Sequence, residues 1–294
     1  MCGYSTSLPA KMSPYEMVMI DRNFVSKSSQ LDYINMFGHG VFETMRIFKC
    51  DAPLLSYHVE RLHKHSKKIH IQTDIQDLRE RVTYFLSNIR PQNSQGGVLR
   101  LTVASGGSAG GYRINRASKP NCIISYRSLP TERKSRLSKG MKMRVCDYRL
   151  PSNPFLSGIK HLNRLDQILA RSEWDEQFDD GIMLDQYDSV VETTFGNIFF
   201  RSANGWVTPL IDECGIEGVM RSLIVKKIMP MMAESIEVRK VELHEIKDCS
   251  EWFVCNAVRG ILPVSFLSPN ISWSIGENTK KLRRALSRLY PCYI

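Results

Sequence analysis

The stretch GIKHLNRLDQILAR, residues 158–171, is the most informative part of the sequence. It follows a strand-like segment that Pro151 and Pro154 interrupt, and its apolar residues recur at a spacing that predicts a helix over residues 162–178. Lys160 therefore lies between a proline-bounded loop and a helix with an apolar face. A lysine among apolar neighbours loses its charge readily, and a neutral amine can attack a carbonyl group. Spacing alone is nevertheless more typical of an ordinary solvated lysine.

Helix and strand patterns alternate on both sides of this stretch, which indicates an α/β or α+β fold in two domains. Residues 76–90 carry an apolar stripe at helical spacing and are predicted to form a helix. Residues 130–140, PTERKSRLSKG, are polar and basic without an apolar period, as is typical of a linker. We therefore expect a smaller domain over residues 1–128 and a larger domain over residues 134–294.

The composition is that of an ordinary globular protein. Of the 294 residues, 43% are apolar, which is enough for more than one hydrophobic core. The first twenty residues lack a basic start followed by an apolar run, and no apolar stretch reaches the roughly 18 residues that a membrane span needs. The eight cysteines are scattered without a CxxC pair, so neither a zinc site nor a disulfide framework is expected. These features predict a cytoplasmic protein without a membrane partner or a metal.

The net charge of +10 allows two interpretations. A basic surface can neutralise nucleic-acid phosphates, or it can accompany the binding of small anionic molecules. The basic residues are spread along the chain, and the runs at residues 61–68 and 279–288 also show helical apolar spacing. Because no nucleic-acid-binding motif accompanies the charge, we expect a small anionic substrate and no nucleic-acid partner.

Six segments, in order along the chain, resemble those of the pyridoxal 5′-phosphate enzymes of fold type IV. This family contains branched-chain aminotransferases, D-amino-acid aminotransferases and aminodeoxychorismate lyases. The segments are GHGVFETMR (38–46), HVERL (58–62), GIKHLNRL (158–165), VVETTFGNIFF (190–200), TPLIDECGIEGVMR (208–221) and VCNAVRGILPV (254–264). The resemblance implies a smaller N-terminal α+β domain and a larger, barrel-like C-terminal domain, with the cofactor between them.

The resemblance also implies a role for individual residues. Lys160 matches the lysine that bonds covalently to the cofactor, and Glu192 matches the carboxylate that pairs with its pyridinium nitrogen. Arg61 matches the arginine that binds the phosphate. Without the resemblance, its position is that of an ordinary basic residue on an amphipathic helix. The remaining phosphate contacts are expected from a helix start and from a loop, which comprise Gly218, Val219, Met220, Asn256 and Ala257.

Three segments, IKHLNRL, GIEGVMR and CNAVRGILPV, resemble the lyases more than the aminotransferases. The implied reaction converts 4-amino-4-deoxychorismate to 4-aminobenzoate and pyruvate, a step of folate biosynthesis. The alternative is an aminotransferase of the same fold that acts on D-amino or branched-chain amino acids. Both activities share their first steps, so the fold does not decide between them.

The sequence departs from the family pattern at two places. His39 stands where the family usually has Asp, in a position that shapes a turn. Gly110 stands where the lyases usually have an arginine, and Arg113 is our candidate for binding the substrate carboxylate instead. Thr44 lies beside the expected pocket and is a candidate catalytic residue, although a β-branched residue is also ordinary in a strand.

Family members are commonly homodimers, so a homodimer is expected here on that ground alone. Two further hypotheses remain open at this stage. A homologue that binds the cofactor without turnover would show the cofactor spectrum and form no product. A nucleic-acid binder would show salt-sensitive association with DNA or RNA.

Overall fold

The computed structural model describes residues 17–20, 22–25, 37–89, 96–106, 112–129 and 139–293. The chain divides into two units, Met1–Leu129 and Pro130–Ile294. Most of the predicted linker, residues 130–138, lies outside the described residues. Within the described ranges, no helix combines the length and the apolar character that a membrane crossing requires.

The first unit is built on an antiparallel sheet, five-stranded in the part that the structure describes. Its strands are β1 (Met17–Ile20), β2 (Asn23–Val25), β3 (Gly40–Ile47), β4 (Gly97–Ala104) and β5 (Asn121–Ser128). They lie in the order β2-β1-β5-β4-β3. Two helices, α1 (Leu55–Lys68) and α2 (Ile75–Asn88), connect β3 to β4.

Helix α2 begins where its sequence favours a start. The side chain of Asp74 caps it by accepting a hydrogen bond from the main-chain N–H of Asp77 at 2.8 Å. Its buried residues are Leu78, Val82, Phe85 and Leu86, as the apolar stripe predicts. The expectation of a helix here is confirmed.

The second unit contains a larger sheet and short helices. Its strands are β6 (Met141–Leu150), β7 (Asp180–Asp185), β8 (Val190–Thr193), β9 (Asn197–Ser202), β10 (Gly205–Pro209), β11 (Ile236–Arg239), β12 (Glu251–Asn256), β13 (Gly260–Leu267) and β14 (Ile271–Ser272). Its α-helices are α3 (Leu165–Arg171), α4 (Val219–Leu223), α5 (Met229–Met231), α6 (Leu243–Lys247) and α7 (Glu277–Leu289). A π-helical turn, Ile224–Ile228, joins α4 to α5.

The strand order of this sheet is β11-β10-β9-β12-β13-β6-β7-β8, and β14 pairs with β13. Strand β8 is the last strand at one end of this order, whereas β9 is the third strand from the other end. A tight turn nevertheless joins them, in which Thr193 N donates to Gly196 O at 2.7 Å. The sheet therefore curls back on itself. The predicted class, a smaller α+β unit followed by a larger unit with a barrel-like sheet, is confirmed.

The core of the second unit is aromatic where β9, β10 and β12 meet. The rings of Phe199 and Phe253 stack with centroids 4.9 Å apart, and Trp206 packs edge-on against Phe253 at 5.2 Å. All three side chains are fully buried. This packing makes β9 and β12 a rigid base for the residues at their ends.

Candidate active site

Lys160 follows a loop that hydrogen bonds fix to a distant segment of the second unit. The main-chain N–H of Gly158 donates to Gly215 O at 3.0 Å, and Glu217 N donates to Gly158 O at 3.1 Å. Gly158 has a φ of 76°, which favours glycine over other residues. Ile159 is buried and Lys160 is half-buried. The lysine is thus held between a fixed loop and the start of α3.

Glu192 lies in β8 and is buried, with 3% of its surface exposed. Its Oε2 accepts a hydrogen bond from the main-chain N–H of Ile216 at 2.9 Å, and its Oε1 accepts one from Gln167 Nε2 at 3.3 Å. Ile216 belongs to the segment that holds the Lys160 loop. One short segment therefore connects the lysine loop to the carboxylate.

The electrostatics of Glu192 are unusual for a carboxyl group. Burial raises its pKa from 4.5 to about 7, and the Ile216 N–H, Arg164 and Lys160 offset this effect only in part. The charged form of a buried carboxylate is stabilised by a partner that donates a hydrogen bond or carries a positive charge. This position therefore favours a ligand with a cationic N–H group.

Helix α3 differs from the sequence-based expectation in two ways. It spans Leu165–Arg171 and not residues 162–178, because the chain turns at Ser172 to bury Trp174 against Gly181. Its predicted apolar face is also not buried, since Leu165, Ile168 and Leu169 are 62%, 62% and 44% exposed. The polar Gln167 instead contacts Glu192. Apolar spacing identified residues that share a face, but not the direction in which that face points.

Two polar residues, His161 and Arg164, contact each other in the short segment between Lys160 and α3. Nη2 of Arg164 donates a hydrogen bond to Nε2 of His161. Burial, and next the positive charge of Arg164, lower the pKa of His161 to about 4, so the imidazole is neutral near pH 7. Within the described ranges, the buried atoms Nδ1 of His161, Nε of Arg164 and Oε1 of Gln167 have no hydrogen-bond partner.

The start of α4 is fixed by Asn197, the first residue of β9. Asn197 Nδ2 donates to Ile216 O at 2.9 Å, and its Oδ1 lies against Gly218, where an added Cβ would approach it to 2.1 Å. Only glycine fits there without displacing Asn197. Val219 and Met220 follow as the first residues of α4. The first N–H groups of a helix lack intrahelical partners and attract anions.

Asn256 and Ala257 lie close to this helix start. Asn256 ends β12, next to Cys255, which pairs with Asn197 across the two strands. Asn256 Oδ1 accepts hydrogen bonds from Val258 N at 3.0 Å and Arg259 N at 2.7 Å, which shapes the turn into β13. The structure thus places the predicted phosphate contacts of the second unit on two adjoining segments.

Arg61 lies in the first unit and binds Glu43. Its Nε donates to Glu43 Oε1 at 2.7 Å, and its Nη2 donates to Glu43 Oε2 at 2.5 Å. His58 Nδ1 lies 2.6 Å from the same Oε2. Burial would raise the pKa of Glu43, but Arg61 and His58 outweigh it and lower the pKa to about 2. No sequence pattern predicted this buried charge cluster.

The other candidates of the first unit are more exposed. Thr44 is half-buried in β3, opposite Arg100 of β4. Arg113 is exposed. Gly110 lies outside the described residues. His39 donates from Nε2 to Ile69 O at 2.7 Å, a bond that the family's usual carboxylate could not make.

Sequence reasoning missed four residues of the second-unit site: His161, Arg164, Gln167 and Asn197. The first three recur at every third position, a polar pattern that was visible in the sequence, although only Gln167 of the three lies within α3. The apolar residues between them suggested the opposite orientation. Ile216 contributes through its main chain, for which a side-chain pattern gives no signal.

Comparison with known proteins adds independent findings. A model of the family described as amino-transferase class IV matches residues 40–267. An aminodeoxychorismate lyase from Vibrio harveyi is 29% identical over 255 residues, which cover 85% of this chain and 92% of the relative. A crystal structure of 4-amino-4-deoxychorismate lyase from Pseudomonas aeruginosa has a TM-score of 0.83 and 32% identity, covering 92% of this chain and 98% of that one.

A branched-chain amino acid aminotransferase from Escherichia coli shares the fold at lower identity. Its structure has a TM-score of 0.80 and 19% identity, and the match covers 94% of this chain and 95% of that one. At this identity the likeness concerns the fold alone.

Proposed function

The chain belongs to the amino-transferase class IV family, and we propose that it is a pyridoxal 5′-phosphate-dependent lyase that converts 4-amino-4-deoxychorismate to 4-aminobenzoate and pyruvate. The similar proteins from Vibrio harveyi and Pseudomonas aeruginosa carry the name of this lyase. The observation that carries the proposal is the connection of the Lys160 loop to buried Glu192 through the main chain of Ile216. The product belongs to folate biosynthesis, as the family resemblance implies.

The residues around Lys160 fit the proposed cofactor. Glu192 is a buried carboxylate with a raised pKa, which suits the N–H of a pyridinium ring. Buried polar atoms on His161, Arg164 and Gln167 that have no partner among the described residues provide contacts for a polar ring. When bound, the cofactor supplies an electron sink for the carbon that carries the substrate amine.

Lys160 is proposed to hold the cofactor covalently through Nζ and then to act as a base. Once the substrate amine displaces it, its free Nζ removes the proton from the carbon that bears that amine. Glu192 keeps a proton at the ring nitrogen, because its buried carboxylate is stabilised by a positive charge beside it. Removal of the proton from the amine-bearing carbon would start the elimination, in which pyruvate leaves as its enol, taking up a proton on the departing oxygen, and the remaining ring becomes aromatic.

The phosphate group is proposed to lie at the start of α4, where Val219 and Met220 present main-chain N–H groups. Gly218 lets the chain approach Asn197 closely, and Asn256 and Ala257 lie on the adjoining segment. Three residue roles remain predictions: Arg61 in phosphate binding, Thr44 in catalysis and Arg113 in substrate binding. The small anionic substrate, which the basic charge of the chain favours, is a further prediction.

The alternative function is an aminotransferase of the same fold. Keto-acid-dependent transfer of an amino group from D-amino or branched-chain amino acids would identify it. The test is product formation from freshly made aminodeoxychorismate, with 4-aminobenzoate and pyruvate followed together. Equal amounts of both products support the lyase, whereas amino transfer without 4-aminobenzoate supports the alternative.

We further propose a cytoplasmic homodimer. The location is supported by buried cysteine thiols such as Cys146, Cys214 and Cys255, which are typical of a reducing compartment. The dimer is expected from the family resemblance. Exposed apolar side chains, such as Phe155 at 90% and Leu165 at 62%, offer surface for a protein contact. Sedimentation of the purified protein tests the dimer.

A further inference from the structure

Asp180, the first residue of β7, is a fully buried carboxyl group that the proposed reaction does not use. Its Oδ1 accepts hydrogen bonds from the main-chain N–H of Gly181 at 2.8 Å and of Thr194 at 3.2 Å, and a third from the hydroxyl of Thr194. Burial raises the pKa of Asp180 to about 6, although the hydroxyls of Thr193 and Thr194 act in the opposite direction. Beyond its neighbour Gly181, this side chain therefore binds the end of β8 and the residue that follows it.

The residues that Asp180 binds belong to the turn that joins β8 to β9, residues 193–196. Glu192 immediately precedes this turn and Asn197 immediately follows it. The turn is closed by Thr193 N, which donates to Gly196 O at 2.7 Å, and by Gly196 N, which donates to Thr193 Oγ1 at 3.0 Å. Because only four residues connect Glu192 to Asn197, the conformation of the turn sets the position of both side chains.

The turn is fixed from two neighbouring strands. On the β9 side, Asn256 Nδ2 donates to Phe195 O at 3.4 Å, and an added Cβ on Gly196 would lie 2.6 Å from Val254 Cγ1. Both contacts come from β12, which pairs with β9. On the β8 side, the contact comes from Asp180 of β7, which pairs with β8. Removal of the Asp180 carboxyl group would therefore release the turn on the side of Glu192.

We propose that Asp180 is a positioning residue, which acts through Thr194 to hold Glu192 and Asn197 in the geometry that the cofactor requires. This inference rests on the proposed function, in which Glu192 pairs with the ring nitrogen and Asn197 fixes the start of α4. Hydrogen bonds weaken steeply when their distance and angle change, so a small displacement of the turn lowers the affinity of the site.

Asp185, the last residue of β7, provides a matched control. It is also buried, and its Oδ1 accepts from the main-chain N–H groups of Tyr187 and Ser189 at 2.9 Å each. These bonds fix the turn between β7 and β8, which contains no residue of the proposed site. Asp180→Ala and Asp185→Ala thus each remove a buried carboxyl group from one end of the same strand, and they differ in the turn that is released.

The test uses four variants of the full chain beside this control. Asp180→Ala removes the carboxyl group, whereas Asp180→Asn retains an oxygen acceptor. Thr194→Val removes the hydroxyl at nearly constant shape, whereas Thr194→Ser retains it. The measurements are the affinity for pyridoxal 5′-phosphate, the pH midpoint of the absorbance of the lysine-bound cofactor, and the urea concentration at which each protein unfolds.

Asp180→Ala should weaken cofactor binding about tenfold or more and shift the pH midpoint of the absorbance. Thr194→Val should weaken binding in the same direction, by about threefold. Asp180→Asn and Thr194→Ser should each recover most of the loss. Asp185→Ala should unfold at a lower urea concentration than the wild type but bind the cofactor within about twofold of it.

Cofactor affinity and a pH midpoint like those of the wild type in Asp180→Ala would overturn this inference. Equal losses of affinity in Asp180→Ala and Asp185→Ala would also overturn it, because they would show a general effect of stability. If Asp180→Ala does not fold, Thr194→Val decides: weaker binding that Thr194→Ser restores supports the inference, and unchanged binding overturns it.

Failure of the proposed function looks different, because it concerns the wild type. A wild type that binds the cofactor but forms no 4-aminobenzoate contradicts the lyase, while the affinities still decide on Asp180. A wild type that takes up no cofactor contradicts the proposed function. Urea unfolding of Asp180→Ala, Glu192→Gln and the double variant then decides: non-additive changes support the coupling of the two residues, and additive changes overturn it.

Discussion

The main-chain N–H of Ile216 donates a hydrogen bond to Oε2 of Glu192 across 2.9 Å, although 24 residues separate the two. The carbonyl of the same residue accepts from Asn197 at 2.9 Å. One peptide segment thus orients the buried carboxylate and the asparagine that lies against the start of α4. The relative position of these two parts of the proposed site is therefore fixed by main-chain geometry.

Glu192 should make the stability of the cofactor-free protein depend on pH. Its pKa is raised from 4.5 to about 7, so the folded state holds this proton more tightly than the unfolded state. Its favourable contribution is complete below pH 4.5 and is lost as the pH rises towards 7. At about 1.4 kcal/mol per unit of pKa, the loss is about 3 kcal/mol. Glu192→Gln should therefore be more stable than the wild type at pH 8, as urea unfolding would measure.

The informative quantity is the difference in the free energy of unfolding between Glu192→Gln and the wild type, measured at pH 5 and at pH 8. Other carboxyl groups also titrate in this range, but they do so in both proteins. A difference that does not change between these pH values would contradict a raised pKa for Glu192. With the cofactor bound, the advantage of Glu192→Gln should disappear, since the carboxylate then has a cationic partner.

Glu43 should be essential to the stability of the first unit. Glu43→Ala leaves His58 and Arg61 without their shared carboxylate and is expected to cost about 3–5 kcal/mol in urea unfolding. Glu60→Ala is the matched control, because Glu60 is 59% exposed and its contact with Arg79 is 3.6 Å long. We expect the control to lose less than about 1 kcal/mol. Equal losses for the two variants would show that the buried cluster is not stabilised by Glu43.

The same cluster predicts sensitivity to acid. Because the pKa of Glu43 is lowered to about 2, its contribution is present above pH 4.5 and is lost as the pH falls towards 2. In an acid titration followed by circular dichroism, the wild type should therefore begin to unfold at a lower pH than Glu43→Gln. Coincident acid transitions would contradict the lowered pKa.

Gly218→Ala should weaken cofactor binding. The new Cβ would lie 2.1 Å from Asn197 Oδ1, so Asn197 must move and its bond to Ile216 is strained. We expect affinity for pyridoxal 5′-phosphate to fall about tenfold or more in absorbance titrations. Ser222→Ala, further along the same helical segment, serves as the control. Unchanged affinity in Gly218→Ala would place the phosphate elsewhere.

Local patterns predicted much of the fold. The stripe of α2 and the burial of Leu78, Val82 and Phe85 follow from spacing alone, because apolar periodicity is a local property. The two-unit organisation and the mixed α+β class also followed from alternating patterns and from the family resemblance.

Contacts between distant residues were not predictable in this way. Arg61 was recognised as basic, but its partner Glu43 lies 18 residues earlier on another element. The orientation of α3 was predicted wrongly, because Leu165 and Ile168 marked a face that is exposed and not buried. The roles of Lys160 and Glu192 came from the resemblance and remain predictions that experiment must test.

The most direct test of the central claim is the reaction itself, with Lys160→Ala beside the wild type. We predict that the wild type, loaded with pyridoxal 5′-phosphate, forms 4-aminobenzoate and pyruvate in equal amounts from aminodeoxychorismate. The variant should form neither and should lack the absorbance of the lysine-bound cofactor. A wild type that shows this absorbance but yields no 4-aminobenzoate would contradict the lyase. A variant with wild-type turnover would contradict the role of Lys160.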